Sequence, residues 1–254
     1  MSDRLHKKPI GETGKVRVTH SKGEPIVTWE PIRFPTGKAE QELVVASTFA
    51  KELSTNEGTD WIVEQLNENN FDFALRSSTE SRYLELQEII IPPPKRGTPY
   101  ASREQVIQSR KFSETIILGI QRKALKYRRG TDYALDLLVY PTHWRFMTSE
   151  TVRQAVAKYL KDNIHPFAHV FEFSIFDRTS GLIQVLFPNE ERSKSFSPQN
   201  IAKHRYVNFD PAIRKPVKDE DGSIGVSFDL SSEALKKLFG SDYPPSAGGR
   251  TSTL

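Results

Sequence analysis

The chain has 254 residues, 37% of them hydrophobic and 27% charged, a balance typical of a globular protein with a core of its own. No run approaches the roughly eighteen apolar residues of a membrane span, and residues 1–15 lack the apolar stretch of a signal peptide, so we expect no membrane contact and a cytoplasmic location. The absence of cysteine excludes disulfides, thiolate zinc sites and cysteine nucleophiles.

Hydrophobic periodicity and turn residues predict an α/β fold. The predicted elements, in chain order, are a hairpin at 15–32, a helix at 38–53, a short helix at 60–69, a two-stranded hairpin at 70–89, a long basic helix at 102–129, a buried strand at 133–141, a helix at 148–163 and strands at 168–176 and 181–187. The strand, helix and strand between 133 and 176 form a predicted parallel βαβ unit. After Pro188 the pattern weakens, and we expect the last dozen residues to be disordered.

These elements divide the chain into three predicted parts. They are an N-terminal hairpin at 1–37, an α/β core at 38–190 and a C-terminal extension at 191–254. The charge of the core is uneven: residues 38–91 hold 4 Lys and Arg against 11 Asp and Glu, and residues 92–130 hold 10 against 2. An acidic block followed by a basic one suits a site that holds a cation beside a polyanion, and equally suits two solvated faces that neutralise each other.

Two carboxylates interrupt the strands of the hairpin at 70–89. Alternation along a strand places Glu85 and Gln87 on one face, opposite the face of the apolar Leu84 and Leu86. A turn centred on residues 79–80 makes Asp72 a diagonal neighbour of Glu85, roughly 7–8 Å away at the backbone. Oxygens so placed converge on an ion of the Mg²⁺ class. The alternative is an ordinary solvated face of an antiparallel sheet.

Two helices show the same anomaly of a charge on an apolar face. Glu42 falls among the apolar residues of the helix at 38–53, and Lys123 falls inside the apolar arc of the basic helix, which includes Ile116 and Tyr127. Because burial of a lone charge is unfavourable, we expect these groups to be partners of Asp72 and Glu85. A structural ion-pair cluster, or a lysine that reaches water, accounts for the pattern as well.

Three other polar residues are interpreted as structural. Asp136 interrupts the buried strand, and we interpret it as a hydrogen-bonded polar group of the core rather than as a residue that supports a metal ligand. His165 and His169 have a zinc-like spacing, but a proline lies between them and the spacing spans a loop. We therefore expect no metal site there.

The order of these residues resembles the PD-(D/E)XK nuclease superfamily, whose core is a helix, a three-stranded antiparallel meander, a helix and a strand. Its signature is an Asp on one strand and Glu-x-Lys on the next, often with a Glu on the first helix. The corresponding residues here are Glu42, Asp72, Glu85 in Glu85-Leu-Gln87, and Lys123. The resemblance covers about residues 38–177, and it departs from the family at Gln87, which stands where the lysine is usual.

The resemblance implies a restriction-endonuclease-like core and a metal-dependent nuclease. In that hypothesis Asp72 and Glu85, with Glu42 at the edge, hold Mg²⁺ or Mn²⁺; Lys123 supplies the missing positive charge, and Gln87 binds the ion or a water. Basic residues of the long helix would bind the backbone of nucleic acid, DNA being favoured over RNA: Arg110, Arg122, Lys126, Arg128 and Arg129. The alternatives are a non-catalytic nucleic-acid-binding or assembly protein on the same fold and a purely structural protein. A homo-oligomer stays open.

Overall fold

The computed structural model describes residues 12–21, 24–66, 71–91, 104–127, 134–211, 215–218, 224–227 and 231–239. The strands are β1 (Thr13–Ser21), β2 (Glu24–Ile32), β3 (Ile62–Gln65), β4 (Phe73–Arg76), β5 (Ser81–Ile89), β6 (Glu104–Gln108), β7 (Leu135–Pro141), β8 (His169–Asp177), β9 (Ser180–Phe187), β10 (Arg205–Phe209), β11 (Lys215–Lys218) and β12 (Ile224–Ser227). The α-helices are α1 (Lys38–Glu57), α2 (Ser109–Lys126), α3 (Glu150–Asp162), α4 (Glu190–Lys194), α5 (Pro198–Lys203) and α6 (Ser232–Phe239), and a 3-10 turn spans Trp144–Phe146.

Six strands form one mixed sheet in the order β3-β4-β5-β7-β8-β9. β3, β4 and β5 are an antiparallel meander, β7 lies parallel to both β5 and β8, and β9 closes the far edge antiparallel to β8. The protein is therefore of the mixed α/β class. The described part of the chain contains no helix long and apolar enough to cross a bilayer.

Helices cover both faces of this sheet. One core contains the apolar face of α1, with Val45 and Phe49 packed against sheet residues such as Leu84 and Phe173. The other contains α2 and α3 on the opposite face. Every residue of β7 is buried, as the continuous apolar run 133–141 predicts for a central strand with both faces covered.

Local signals account for several helix ends. α1 ends at Gly58, whose φ of +66° is a left-handed conformation that favours glycine, and its N–H donates to the Ser54 carbonyl. Ser149 caps α3 by accepting a hydrogen bond from the Val152 N–H. The first hairpin, α1, the buried strand, the helix at 148–163 and the parallel βαβ unit are all confirmed.

Two predictions of secondary structure were wrong. Residues 62–65 are the edge strand β3 instead of part of a helix, because Trp61 and Val63 point into the core while Ile62 is 70% exposed. The basic helix begins at Ser109, since 104–108 form β6 and pair with β10 far along the chain. After Pro188, where the sequence pattern weakens, the described residues form α4, α5 and β10. The proline segment at 92–100 and the last dozen residues lie outside the described ranges.

Candidate functional site

The structure brings Asp72, Glu85 and Lys123 together at one end of the meander. The Lys123 ammonium lies 2.5 Å from Glu85 Oε2 and 3.2 Å from Asp72 Oδ2. Pairing of Phe73 with Leu84 centres the turn one residue earlier than predicted, so Asp72 comes level with Glu85 instead of diagonal to it. Asp72 is held there by the Leu86 N–H, which donates to Oδ2 over 2.9 Å.

Glu85 is the most enclosed member of this cluster, because its side chain has no exposed surface. Oε1 accepts a hydrogen bond from the Tyr127 hydroxyl and lies 3.2 Å from the Lys126 ammonium, while Oε2 faces Lys123. A buried carboxylate without partners is disfavoured by several kcal/mol, on the order of the ion's desolvation. Three donors, two from the end of α2 and one from Tyr127 directly after it, offset that cost and fix the position of Glu85.

The pKa shifts of Lys123 and Tyr127 favour the protonated form of both side chains. Burial works to lower the pKa of Lys123, but its contacts with Glu85 and Asp72 outweigh burial and raise the pKa above its ordinary value. Burial, reinforced by the contact with Glu85, raises the pKa of the Tyr127 hydroxyl. At neutral pH Lys123 is therefore a cation and Tyr127 a hydrogen-bond donor, and neither is a base.

Glu42 lies at the edge of the cluster. Its side chain is 15% exposed and forms an ion pair with Lys38, 3.4 Å away. Burial raises the pKa of Glu42, and the charge of Lys38 opposes that shift. The negative charge of Asp72 raises the pKa further, so Glu42 and Asp72 are close enough to interact electrostatically. The neighbouring Gln41, which sequence reasoning missed, is almost fully buried and hydrogen-bonds to Tyr140 of β7.

Gln87 packs along α2. Its amide donates to the Glu88 carbonyl over 2.9 Å, and the side chain lies so close to Gly119 that a Cβ on that glycine would come 3.2 Å from Gln87 Cδ. Gln87 also borders a small pocket of about 220 Å³ that Thr115 and Arg122 line from the helix. The structure thus places Gln87 at a neighbouring pocket, on the same face of β5 as Glu85.

The predicted phosphate-binding residues are separated in the structure. Arg110 and Arg122 are exposed, but Arg110 forms an ion pair with Glu114 at 3.0 Å. Lys126 contacts Glu85 and lies 4.9 Å from the centre of the Tyr127 ring, so it belongs to the cluster as much as to the surface. Arg128 and Arg129 lie outside the described residues.

An aromatic stack borders the cluster and was also missed. The Phe71 ring lies between Tyr83 and Tyr127, with centroid distances of 4.2 Å and 5.3 Å and nearly parallel planes. The sequence did offer a sign that Tyr127 borders the cluster, because it lies four residues, about one helical turn, after Lys123. Phe71 gave no such signal, because its contacts follow from the pairing of β4 with β5 and from the docking of α2.

A second polar cluster lies at the starts of β7 and β8. Asp136 is fully buried, and its Oδ1 lies 2.9 Å from His169 Nδ1 on the adjacent strand. Its Oδ2 has no hydrogen-bond partner among the described residues and lies 4.0 Å from an Arg82 nitrogen. The interpretation of Asp136 as a hydrogen-bonded core group is therefore correct for one oxygen.

The cluster was tested for its fit to a divalent ion. Within the described ranges, no three or more His, Asp or Glu side chains lie close enough together to hold a metal. Asp72 and Glu85 remain a pair, and Mg²⁺ accepts one or two carboxylates when phosphate and water complete its shell. Asp72 is 29% exposed and both of its hydrogen bonds end on Oδ2. A hard divalent ion at this pair would have to compete with Lys123 for the same oxygens.

Comparisons of the chain with protein-family models, curated proteins and solved structures found no match.

Proposed function

We propose that this protein is a metal-dependent nuclease that hydrolyses phosphodiester bonds. The observation that carries the proposal is the convergence of Asp72, Glu85 and Lys123, drawn from two strands and a helix, with Glu42 at the edge. The order of α1, the β3–β5 meander, α2 and the parallel strand β7 is the order expected of a restriction-endonuclease-like core. We further propose a cytoplasmic location and DNA, rather than RNA, as the substrate.

Each side chain of the cluster has a role in this proposal. Mg²⁺ or Mn²⁺ bound to Asp72 and Glu85 would supply Lewis acidity and a water of lowered pKa. Lys123, which stays protonated, stabilises negative charge that develops on the phosphate. Lys126 and Tyr127 hold Glu85 in one orientation. Arg122 on the exposed face of α2 is available for a backbone phosphate.

Cleavage assays on labelled DNA and RNA with Mg²⁺ or Mn²⁺ test the proposal. Asp72→Asn and Glu85→Gln should abolish cleavage, because each removes an anionic ligand. Lys123→Met should lower the rate by ~10²–10³-fold, as removal of one electrostatic stabiliser does. Glu64→Gln, an equivalent change at an exposed ion pair on the edge strand, is the matched control and should leave the rate unchanged.

A non-catalytic nucleic-acid-binding protein is the second candidate. It is favoured by the engagement of both Glu85 oxygens with Lys123, Lys126 and Tyr127, a set that already neutralises the carboxylate. The variant Gln87→Lys distinguishes the nuclease from the binding protein, because it introduces the lysine that is usual in the nuclease signature. If neither the natural protein nor Gln87→Lys cleaves any substrate with either metal, the binding function replaces the nuclease.

A further inference from the structure

A second pocket, of about 500 Å³, lies beside the cluster between the C-terminal half of α2 and the segment that follows α3. Its volume falls within the range of roughly 300–1,000 Å³ that is usual for small-molecule sites. The residues that line it are mainly apolar or aromatic and include Ala124, Leu125, Tyr127, Tyr159, Ile164 and His165.

The pocket and the cluster share a wall. One side of the Tyr127 residue lines the pocket, and its hydroxyl donates to Glu85. Ala124, another lining residue, directly follows Lys123, and the Lys126 ammonium lies over the Tyr127 ring. Tyr127 therefore separates a group held in the pocket from Glu85 and from the Lys126 ammonium.

The walls suit a flat group with apolar faces and polar edges. Leu125 is 55% exposed and Ile164 is fully exposed, so both offer apolar surface to an occupant. The Gln121 amide donates a hydrogen bond to the Tyr159 hydroxyl over 3.0 Å, so two polar side chains that line the pocket are bonded to each other. The His165 ring packs edge-on against Phe187 at 4.6 Å, and burial lowers its pKa, so that it is a neutral, fixed wall.

We infer that this pocket receives an unstacked nucleobase, so that the substrate of the neighbouring cluster is single-stranded nucleic acid. The inference rests on the proposed function, because the strand that carries the base would have to pass Tyr127 to reach the cluster. A nucleobase has the required flat apolar faces and hydrogen-bonding edges, and a base in a duplex is stacked and paired and must leave the helix first. Single strands bind in this way through stacking beside a cationic track.

The test is binding in EDTA, where cleavage has no part in the result. A single-stranded oligonucleotide with one 2-aminopurine and the matching duplex are titrated with the protein, with anisotropy and 2-aminopurine fluorescence as readouts. The natural protein should bind the single strand at least fivefold more tightly than the duplex and change the 2-aminopurine emission. Equal or tighter binding of the duplex, or no binding of either, would overturn the inference.

Paired variants locate the base. The double variant Leu125→Ser with Ile164→Ser removes apolar surface from the pocket and should weaken single-strand binding by about tenfold. The control, Leu118→Ser with Ile62→Ser, removes two exposed apolar residues elsewhere and should leave binding unchanged. All four positions are more than half exposed, so folding should survive. Equal effects of the two variants would place the base elsewhere.

The oligomeric state provides a further check on the occupant. If the natural protein dimerises in gel filtration and only the Leu125/Ile164 variant is monomeric, the pocket binds a second copy of the chain and the inference is wrong. The nuclease proposal fails separately, by loss of cleavage with Mg²⁺ or Mn²⁺, and single-strand binding in EDTA would survive that failure.

Discussion

Replacement of Lys123 by methionine should destabilise the protein and, at the same time, strengthen its binding of a divalent ion. The variant keeps the apolar stem of the side chain and removes the ammonium that contacts Glu85 at 2.5 Å and Asp72 at 3.2 Å. A buried charge stripped of its partner costs about 3–5 kcal/mol. Glu85 keeps Lys126 and Tyr127, and Lys123 is itself 23% exposed, so we expect a smaller loss of roughly 1–3 kcal/mol.

Thermal and urea denaturation in EDTA measure this loss. For a chain of this size each kcal/mol lowers the melting temperature by about 2–4 °C, so the expected decrease is roughly 2–12 °C. Lys111→Met makes the same change at an exposed position of the same helix and serves as the control. Isothermal titration with Mn²⁺ should then show tighter binding to Lys123→Met than to the natural protein, because the competing cation is gone.

Two results would refute this reasoning. If Lys123→Met and Lys111→Met are equally stable in EDTA, the contacts of Lys123 with the two carboxylates contribute no net stability. If Mn²⁺ binds the natural protein and Lys123→Met with the same affinity, or binds neither, Asp72 and Glu85 are not the pair that holds a divalent ion, and the cluster is a structural ion-pair network.

Arg122→Ala should reduce the slope of log affinity against log salt by about 0.7 for single-stranded nucleic acid, the loss of one phosphate contact; an unchanged slope removes Arg122 from the interface. Gly119→Ala should stabilise the protein by about 0.5–1 kcal/mol only in the presence of Gln87→Ala, because the new methyl group would otherwise contact Gln87. Urea denaturation of both single variants and the double variant measures the interaction energy between the two positions. The hydrogen bond with Asp136, opposed by burial, raises the pKa of His169 in the folded state, so the stabilisation is fully present below the unfolded value of 6.5 and is lost as pH rises through the higher folded value. Melting temperatures of the natural protein and His169→Gln should therefore converge as the pH rises from 6.5 through the higher folded pKa, and a constant difference would contradict this linkage.

Elements with strong periodicity were predictable from the sequence, and those set by distant pairing were not. The buried strand and α3 follow from a continuous apolar run and a serine cap. The sequence around β6 contains no local signal for a strand, because β6 pairs with β10, about a hundred residues later. β3 was mistaken for a helix because the exposed Ile62 hides the alternation between inward and outward side chains.

Within the candidate site, the sequence was enough to identify charges on apolar faces but not to assign all their partners. Lys123 and Glu85 were expected to meet because each lay among apolar residues, and the structure brings them together. Lys126 was expected at the nucleic-acid surface because a helical wheel places it outside the apolar arc. A wheel gives the direction of a residue but not the reach of a long side chain, and Lys126 reaches Glu85.

The origin of the cluster in separate segments also bears on synthesis of the chain. Glu85 leaves the ribosome 38 residues before Lys123, so the nascent meander has an acidic face with none of its lysine partners yet made. That face must stay hydrated until α2 docks, because enclosure of the lone carboxylate is disfavoured. The start of α2 is itself tied to His204, 95 residues after Ser109, through a 2.7 Å hydrogen bond. We therefore expect closure of the site to be a late event of folding, because it depends on contacts between residues far apart in the chain.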